Sequence, residues 1–486
     1  MSLETLLKAS VLVALTSGLT ACGGSDNDGT PNPTPDPDPI VEICPDFSDE
    51  VDGATEDAPV CRLSGTLVGE IDLTSDTLWV LSGGVFVGED AGGDAANPVA
   101  DAETGTLNIE AGTTIVGESG ADLLIISRGS QIFAEGTADA PILFTSSNAY
   151  DNDGSDQRGE WGGLVISGRA PINGCDAGTS ICEAEGEGSS GLYGGNDADD
   201  NSGVLNYVVV SNAGFEITTE NELNGIAFQG VGRGTDVDYI QVNLNADDGV
   251  EFFGGTVDAK HVVLTGIGDD SVDWTGGWQG RMQYVVVKQF EDDGDQGIEA
   301  DNNGDNNEAA PVAKPVLANI TMVGSPNADI GMLLREGTGA NIYNAIVTGF
   351  GETCIDIDQE FTFTNAGTTA ANAQNGGQLT IDNSIVFGCT VGNFADNELT
   401  ADQGFDDPWL VSDWFNGGTG NSTTAITMSN IFAATAADID GLGATPAENA
   451  DMFFDTVDYI GAFDAGVAAG DAGDWTAGWT IEGSLD

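Results

Sequence analysis

Positive charge is what this chain lacks. Its 486 residues hold 11 Lys and Arg against 80 Asp and Glu, with a formal net charge of −69. A nucleic-acid surface needs clustered Lys and Arg to meet phosphates, so this composition argues against a nucleic-acid partner. Residues 336–486 contain neither Lys nor Arg. Such a surface repels itself at low salt and suits a salty or cation-rich medium. The single histidine, His261, rules out a His-rich metal site. No Cys-x-x-Cys occurs, which argues against thioredoxin-like, zinc-ribbon and c-haem sites. Gly-x-Ser-x-Gly, His-Glu-x-x-His and a phosphate-binding glycine loop are also missing. Gly230-Val-Gly-Arg-Gly is a turn, because no helix follows it.

The chain is not short of apolar material. It is 40% hydrophobic, in recurring Val, Ile and Leu runs, which sets it apart from a disordered acidic chain. Its 70 glycines without a collagen period suit a fold with many turns. The apolar run at residues 9–19, after Lys8, is too short to span a bilayer and reads as a signal sequence over 1–21. Residues 22–40 alternate proline with small polar residues and read as an extended tether. Six further cysteines, an even number in an exported chain, favour disulfides. Proximity suggests Cys44–Cys61, Cys175–Cys182 and Cys354–Cys389 among fifteen possible pairings.

Internal repetition carries the fold. Tyr207-Val-Val-Val, Tyr239-Ile-Gln-Val, His261-Val-Val-Leu and Tyr284-Val-Val-Val fall in one register. Asn319-Ile-Thr-Met, Asn344-Ala-Ile-Val, Asn383-Ser-Ile-Val and Asn430-Ile-Phe-Ala continue it. A second column contains Gly225-Ile-Ala-Phe, Gly249-Val-Glu-Phe, Ser271-Val-Asp-Trp and Gly297-Ile-Glu-Ala. A basic step of about 22 to 25 residues with two or three short strands predicts the coils of a parallel β-helix. The fold class is thus all-β, a single-stranded solenoid over 66–430, with an N-terminal cap at 41–65 and a C-terminal cap at 431–486. Stacked asparagines are expected to bond to one another along the axis. One short helix is admissible within residues 434–451.

These residues also carry a resemblance. Leu19-Thr20-Ala21-Cys22 resembles the lipobox of bacterial lipoproteins, which implies cleavage before Cys22 and lipidation of its sulfur. Gly23 and Gly24 then imply passage to the outer membrane. "RGSQIFAEGTADAPILFTSS", "RGEWGGLVISGRAPING" and "DDGVEFFGGTVDAKHVVLTGIGDDSVDW" resemble exported, right-handed β-helix lipoproteins of marine and environmental Gram-negative bacteria. The resemblance covers most of residues 63–486. It implies a lipid-anchored protein facing the periplasm or cell surface, with a polysaccharide or an outer-membrane receptor as partner. The wider architecture resembles pectate-lyase-like β-helices, many of which bind or cut acidic polysaccharides.

The chemistry concentrates in residues 247–301. Coils stack about 4.8 Å apart. In Val250-Glu251-Phe252 the apolar pair points one way and Glu251 the other. The same logic turns out Asp273 and Glu299. Asp247, Asp248, Asp269, Asp270, Asp293 and Asp295 precede these strands, and Asp301 follows them. Like charges about 5 Å apart raise one another's pKa unless a cation intervenes. Calcium, which takes six to eight oxygens, is the expected ligand; the competing reading is a solvated acidic face. The Asn-rich loop at 301–307 is a second candidate, although Val312 stands where an EF-hand has Glu.

Two catalytic chemistries are compatible with these residues. Glu251 with Asp273, or Asp270 with Asp273, are candidate glycosidase pairs. A calcium-dependent lyase would draw its base from Lys260, His261, Arg281 or Lys288. His261 also suits plain stacking in its column. Among the aromatics, Trp274 reads as core and Trp278, after two glycines, as a surface residue able to bind sugar. The leading expectation is a cation-stabilised envelope protein that binds without catalysis. A polysaccharide-active enzyme and a structural adhesin or surface-layer element are the alternatives.

Overall fold

The computed structural model describes residues 43–486, except 153–156, 177, 219–221, 368, 370–376, 397–398 and 401–404. The signal sequence, Cys22 and the tether lie outside the described residues.

Three parallel sheets run the length of the molecule, and each coil contributes one strand to each sheet. In one coil Asp236–Asn243 supplies the first and second sheets and Val250–Phe253 the third. The next coil repeats this with Ala259–Thr265 and Val272–Thr275, paired in parallel register. The first and second sheets meet at a single residue. Tyr207, Tyr239, His261, Tyr284, Asn319, Asn344 and Asn383 all sit there with φ between 47° and 63°. Left-handed backbone suits Asn; for Tyr and His it is uncommon and needs support. Here the rings support one another: Tyr207 on Tyr239 at 4.4 Å, Tyr239 on His261 at 4.1 Å and His261 on Tyr284 at 4.8 Å.

The core is one continuous column from Cys61 to Phe415. Phe228, Phe252 and Trp278 stack through it at 5.1 and 3.9 Å. Trp278 is therefore not a surface residue, as its sequence position suggested. Gly276 and Gly277 take positive φ and turn its ring inward, where Nε1 donates to the Val257 carbonyl at 3.2 Å. Trp161, Trp274 and Trp414 are fully buried too.

All three disulfides pair as proximity suggested. Cys44–Cys61 ties down the front cap, where Phe47 stacks on Trp79. At the rear, the short helices Glu360–Ala366 and Val411–Gly417 bury Phe363, Trp414 and Phe415 over the last coils.

The C-terminal segment departs from expectation. The sequence places a rear cap at 431–486, but after a hairpin of Met428–Ser429 with Phe432–Ala433 the chain runs back along the solenoid. The stretch at 434–451 holds one turn of 3-10 helix at Ala436–Asp438 rather than an α-helix. Asn383 donates to Leu442, Asn344 exchanges two hydrogen bonds with Ala444, and Asn319 donates to Tyr459 and Gly461. Gln283 accepts from the backbone N–H of Asp455, and Gln241 from that of Ile481. The asparagine column therefore bonds to this strap rather than to itself. The strap offers backbone groups at each rung, and Asn430 has left the column for the hairpin.

Burial explains the strap. In Tyr207-Val-Val-Val the flanking valines point inward and Val209 outward. Val209 and Val263 are buried under Trp479, and Val286 under Ile431 and Phe463. Ile346 and Ile385 lie under Ile439 and Ile460.

Replacing Trp278 with Ala should cost about 3 to 5 kcal/mol in chemical denaturation, the range for emptying a large aromatic site. A variant as stable as the parent would contradict its place in the core.

Candidate metal centre

The third sheet presents Glu251, Asp273 and Glu299 as direct neighbours on consecutive strands. The turns before these strands bring the other acids alongside. Asp248, Glu251 and Asp273 form one group whose ligand oxygens all lie within 4.8 Å of one another. Asp247, Asp248 and Asp269 form a second, and Asp269, Asp270 and Asp295 a third.

The strip faces out from its sheet but is largely covered: Asp247, Asp269, Asp273, Asp295 and Glu299 are half-buried. Asp248, Glu251, Asp270 and Asp301 are buried. Residues 168–202 make a long excursion whose hairpin, Ala184–Glu185 with Leu192–Tyr193, lies beside the strip; Tyr193 is buried on Phe253. Glu187 within it is driven up to about 7 by burial and by Glu222. Burial and neighbouring carboxylates hold Asp248, Glu251, Asp270 and Asp273 well above the ordinary carboxylate range. Burial and Asp269 push Asp247 up to about 8, and Asp295 up to about 7.

Two of these aspartates also brace the coils. Asp248 accepts from the backbone N–H of Asp270 at 3.1 Å, and Asp270 from that of Gln296 at 2.7 Å. Gln296 in turn accepts from Ile330 at 3.2 Å. Each of these acceptors lies two residues before the first apolar residue of its strand.

Glu299 and Asp301 have a different partner. Arg335 donates to Glu299 at 2.6 Å and to Asp301 at 3.0 Å, so a cation of the chain's own neutralises the rear of the strip. Burial still holds Glu299 up at about 8. Sequence reasoning missed Arg335, yet register locates it: it follows Met332–Leu334 as Asp301 follows Ile298–Ala300. Asn224 was missed as well. Its Nδ2 donates to Glu251 at 2.5 Å from the turn before Ile226–Gln229. Two buried oxygens, Asn224 Oδ1 and Asp273 Oδ1, find no donor.

The proposed lyase bases lie elsewhere. Lys260 and Arg281 belong to first-sheet strands, where the strap engages them. Lys260 pairs with Asp455; Arg281 pairs with Asp258 and Asp451 and covers the Phe453 ring. His261 is stacked between Tyr239 and Tyr284, with Nδ1 2.7 Å from Asp238. Lys288 closes the strand Arg281–Lys288, on the second sheet. None of the four joins the strip, because each coil assigns first- and second-sheet residues to other sides of the molecule. The loop at 301–307 spends its amides internally. Asn302 donates to Asn307 and Ala309, and Asn173 bridges Asn302 and Asn303. Glu251 and Asp273 share a hydrogen bond. One oxygen of each lies within 4.8 Å of one of the other's.

Removing Arg335 leaves Glu299 and Asp301 uncompensated. Arg335→Ala should cost about 3 kcal/mol at pH 8, the low end for breaking a buried pair. The loss should shrink at pH 5, where Glu299 takes up a proton, and denaturation at the two pH values checks this. Equal losses at both would contradict the pairing.

Residues 95–480 match the family described as pectate-lyase-like beta helix domain. No curated protein sequence matches. Among solved structures, a periplasmic alginate epimerase, AlgG, is similar at 12% identity over 72% of this chain and 76% of its own, with a TM-score of 0.24. The Dettilon tailspike protein is similar at 8% identity over 68% of this chain and 56% of its own, with a TM-score of 0.21. With three parallel sheets wound along one core and a family match over most of its length, the chain belongs to the pectate-lyase-like β-helix domain family.

Proposed function

We propose that this protein is a lipid-anchored β-helix of the outer membrane that binds a polysaccharide or a membrane receptor without cutting it. A hard divalent cation, calcium by donor chemistry, locks its acidic strip. One observation carries the cation: the centre is made almost wholly of acceptors. Asp248, Glu251 and Asp273 crowd together with Asn224 beside them, and buried oxygens of Asp273 and Asn224 lack donors. Buried acceptors without donors are costly, and a cation taking six to eight oxygens satisfies several at once. The binding role is supported by Arg335 being the cation at the strip and already engaged by two carboxylates. The lipid anchor rests on Leu19-Thr20-Ala21-Cys22. Mass spectrometry of the membrane-extracted protein should find a lipidated Cys22, and Cys22→Ser should release the chain from the membrane. An unmodified, soluble parent would contradict the anchor.

The pH dependence follows from the raised carboxyls. Without a cation, the folded chain holds protons that the unfolded chain releases. Its stability therefore falls as pH rises from about 4, the unfolded range, through about 8, where Asp247 and Glu299 titrate. A bound cation replaces those protons and flattens this slope. Thermal melts in calcium and in EDTA should diverge increasingly from pH 5 to pH 8, with calcium the more stable. Asp273→Asn should narrow the gap. Superimposable melts at pH 8 would contradict the cation.

A further inference from the structure

The second sheet carries two outward columns, and the strap covers one of them. Leu143, Val209, Gln241 and Val263 form the covered column. Thr145, Ser211, Asn243 and Thr265 begin the other as four neutral polar residues, and Lys288 follows them on the next rung. Its members bond along the axis: Thr145 to Ser211 at 2.9 Å, and Thr265 to Asn243 at 2.8 Å. At its front end a cleft of about 280 Å³ opens between the short helix Ser147–Asp151 and Ile481 of the strap. Its floor is Thr145, Ser211 and Asn243, and its rim carries Asn148, Tyr150 and Asn152.

The chemistry of this cleft differs from that of the rest of the molecule. None of its lining residues is charged, in a chain where Asp and Glu number 80 of 486. Tyr150 is 47% exposed at the rim, an unusual position for a large aromatic ring. Among the described residues, Asn148 bonds through Nδ2 and Asn243 through Oδ1, so Asn148 Oδ1, Asn243 Nδ2 and the Asn152 side chain are left to the cleft. Asn148 Nδ2 is anchored by Glu160 at 3.0 Å, which fixes the orientation of that amide. Gln241 fixes the opposite wall, accepting from Ile481 and donating to Ser484 at 2.9 Å. The cleft therefore offers both donors and acceptors from neutral amides on prearranged supports, beside one exposed aromatic face.

We infer that this cleft binds a neutral saccharide, with a pyranose face against Tyr150 and its hydroxyls on the amides of Asn148, Asn152 and Asn243. Hydroxyls both donate and accept, so they match amides, and the C–H face of a sugar matches an aromatic ring. A uronate would bring negative charge to a chain of net charge −69 without a cation in the cleft to receive it. The site lies on a different sheet from the carboxylate strip. The inference rests on the reading of a binding protein and deepens it by naming the ligand class.

Isothermal titration of the calcium-loaded protein with neutral hexasaccharides (glucans, xylans, mannans and galactans) and with alginate and polygalacturonate oligomers tests this. At least one neutral oligomer should bind, and Tyr150→Ala should weaken it tenfold or more. Asn243→Ala should weaken it too. Both variants' melting temperatures confirm folding. Absence of binding by every neutral oligomer, or binding indifferent to Tyr150→Ala, overturns the inference. Binding lost in Asp273→Asn but kept in Tyr150→Ala moves the ligand to the strip, overturning this cleft while leaving a binding protein in place.

Discussion

Every central coil turns from its first to its second sheet on one left-handed residue, and that turn sets the register of the rest. Because one position carries it, the strands on either side stay in phase with the coils before and after. Phase is what converts sequence distance into contact. Glu251 and Asp273 are 22 positions apart in the chain and direct neighbours in the ladder. The residue at the turn must tolerate positive φ, and two solutions are used: aromatic rings that stack, then asparagines that bond outward to the strap.

The same phase creates a problem that the protein must solve. Stacking acids in one column buries charge that water would otherwise solvate, and burial favours the neutral form. Three remedies occur along the strip. Backbone N–H groups satisfy one oxygen of Asp248 and of Asp270. Arg335 satisfies Glu299 and Asp301. Between these lies a stretch where acceptors meet acceptors, and there only a proton or a cation will serve. The strap addresses a second, apolar problem by the same geometry, since outward valines in phase make a greasy stripe that must be covered.

Much of this was legible in the residues. The recurring Tyr, His and Asn positions announced the coil, and the alternation in Val250-Glu251-Phe252 announced which side chain leaves the core. Cysteine proximity matched the bridges. What stayed hidden depended on segments without a period. The strap is irregular, so nothing local shows where it runs, although the middle valine of Val208-Val209-Val210 signals a covered face. Trp278 was misjudged because two glycines suggest an exposed turn, whereas here they let the chain fold a large ring back into the core. Lys260 and Arg281 are near the acids in sequence only; a coil sends successive strands to different sides. Asn224 and Arg335 became visible once the register was applied to the turns as well as to the strands.

Crystals grown with terbium, a hard ion that seeks oxygen as calcium does, give the most direct test through anomalous scattering. The account predicts a peak enclosed by Asp248, Glu251 and Asp273, with the Asn224 side-chain oxygen within bonding range. A map without a peak there, in which Glu251 and Asp273 remain hydrogen-bonded to each other as a protonated pair, would contradict it.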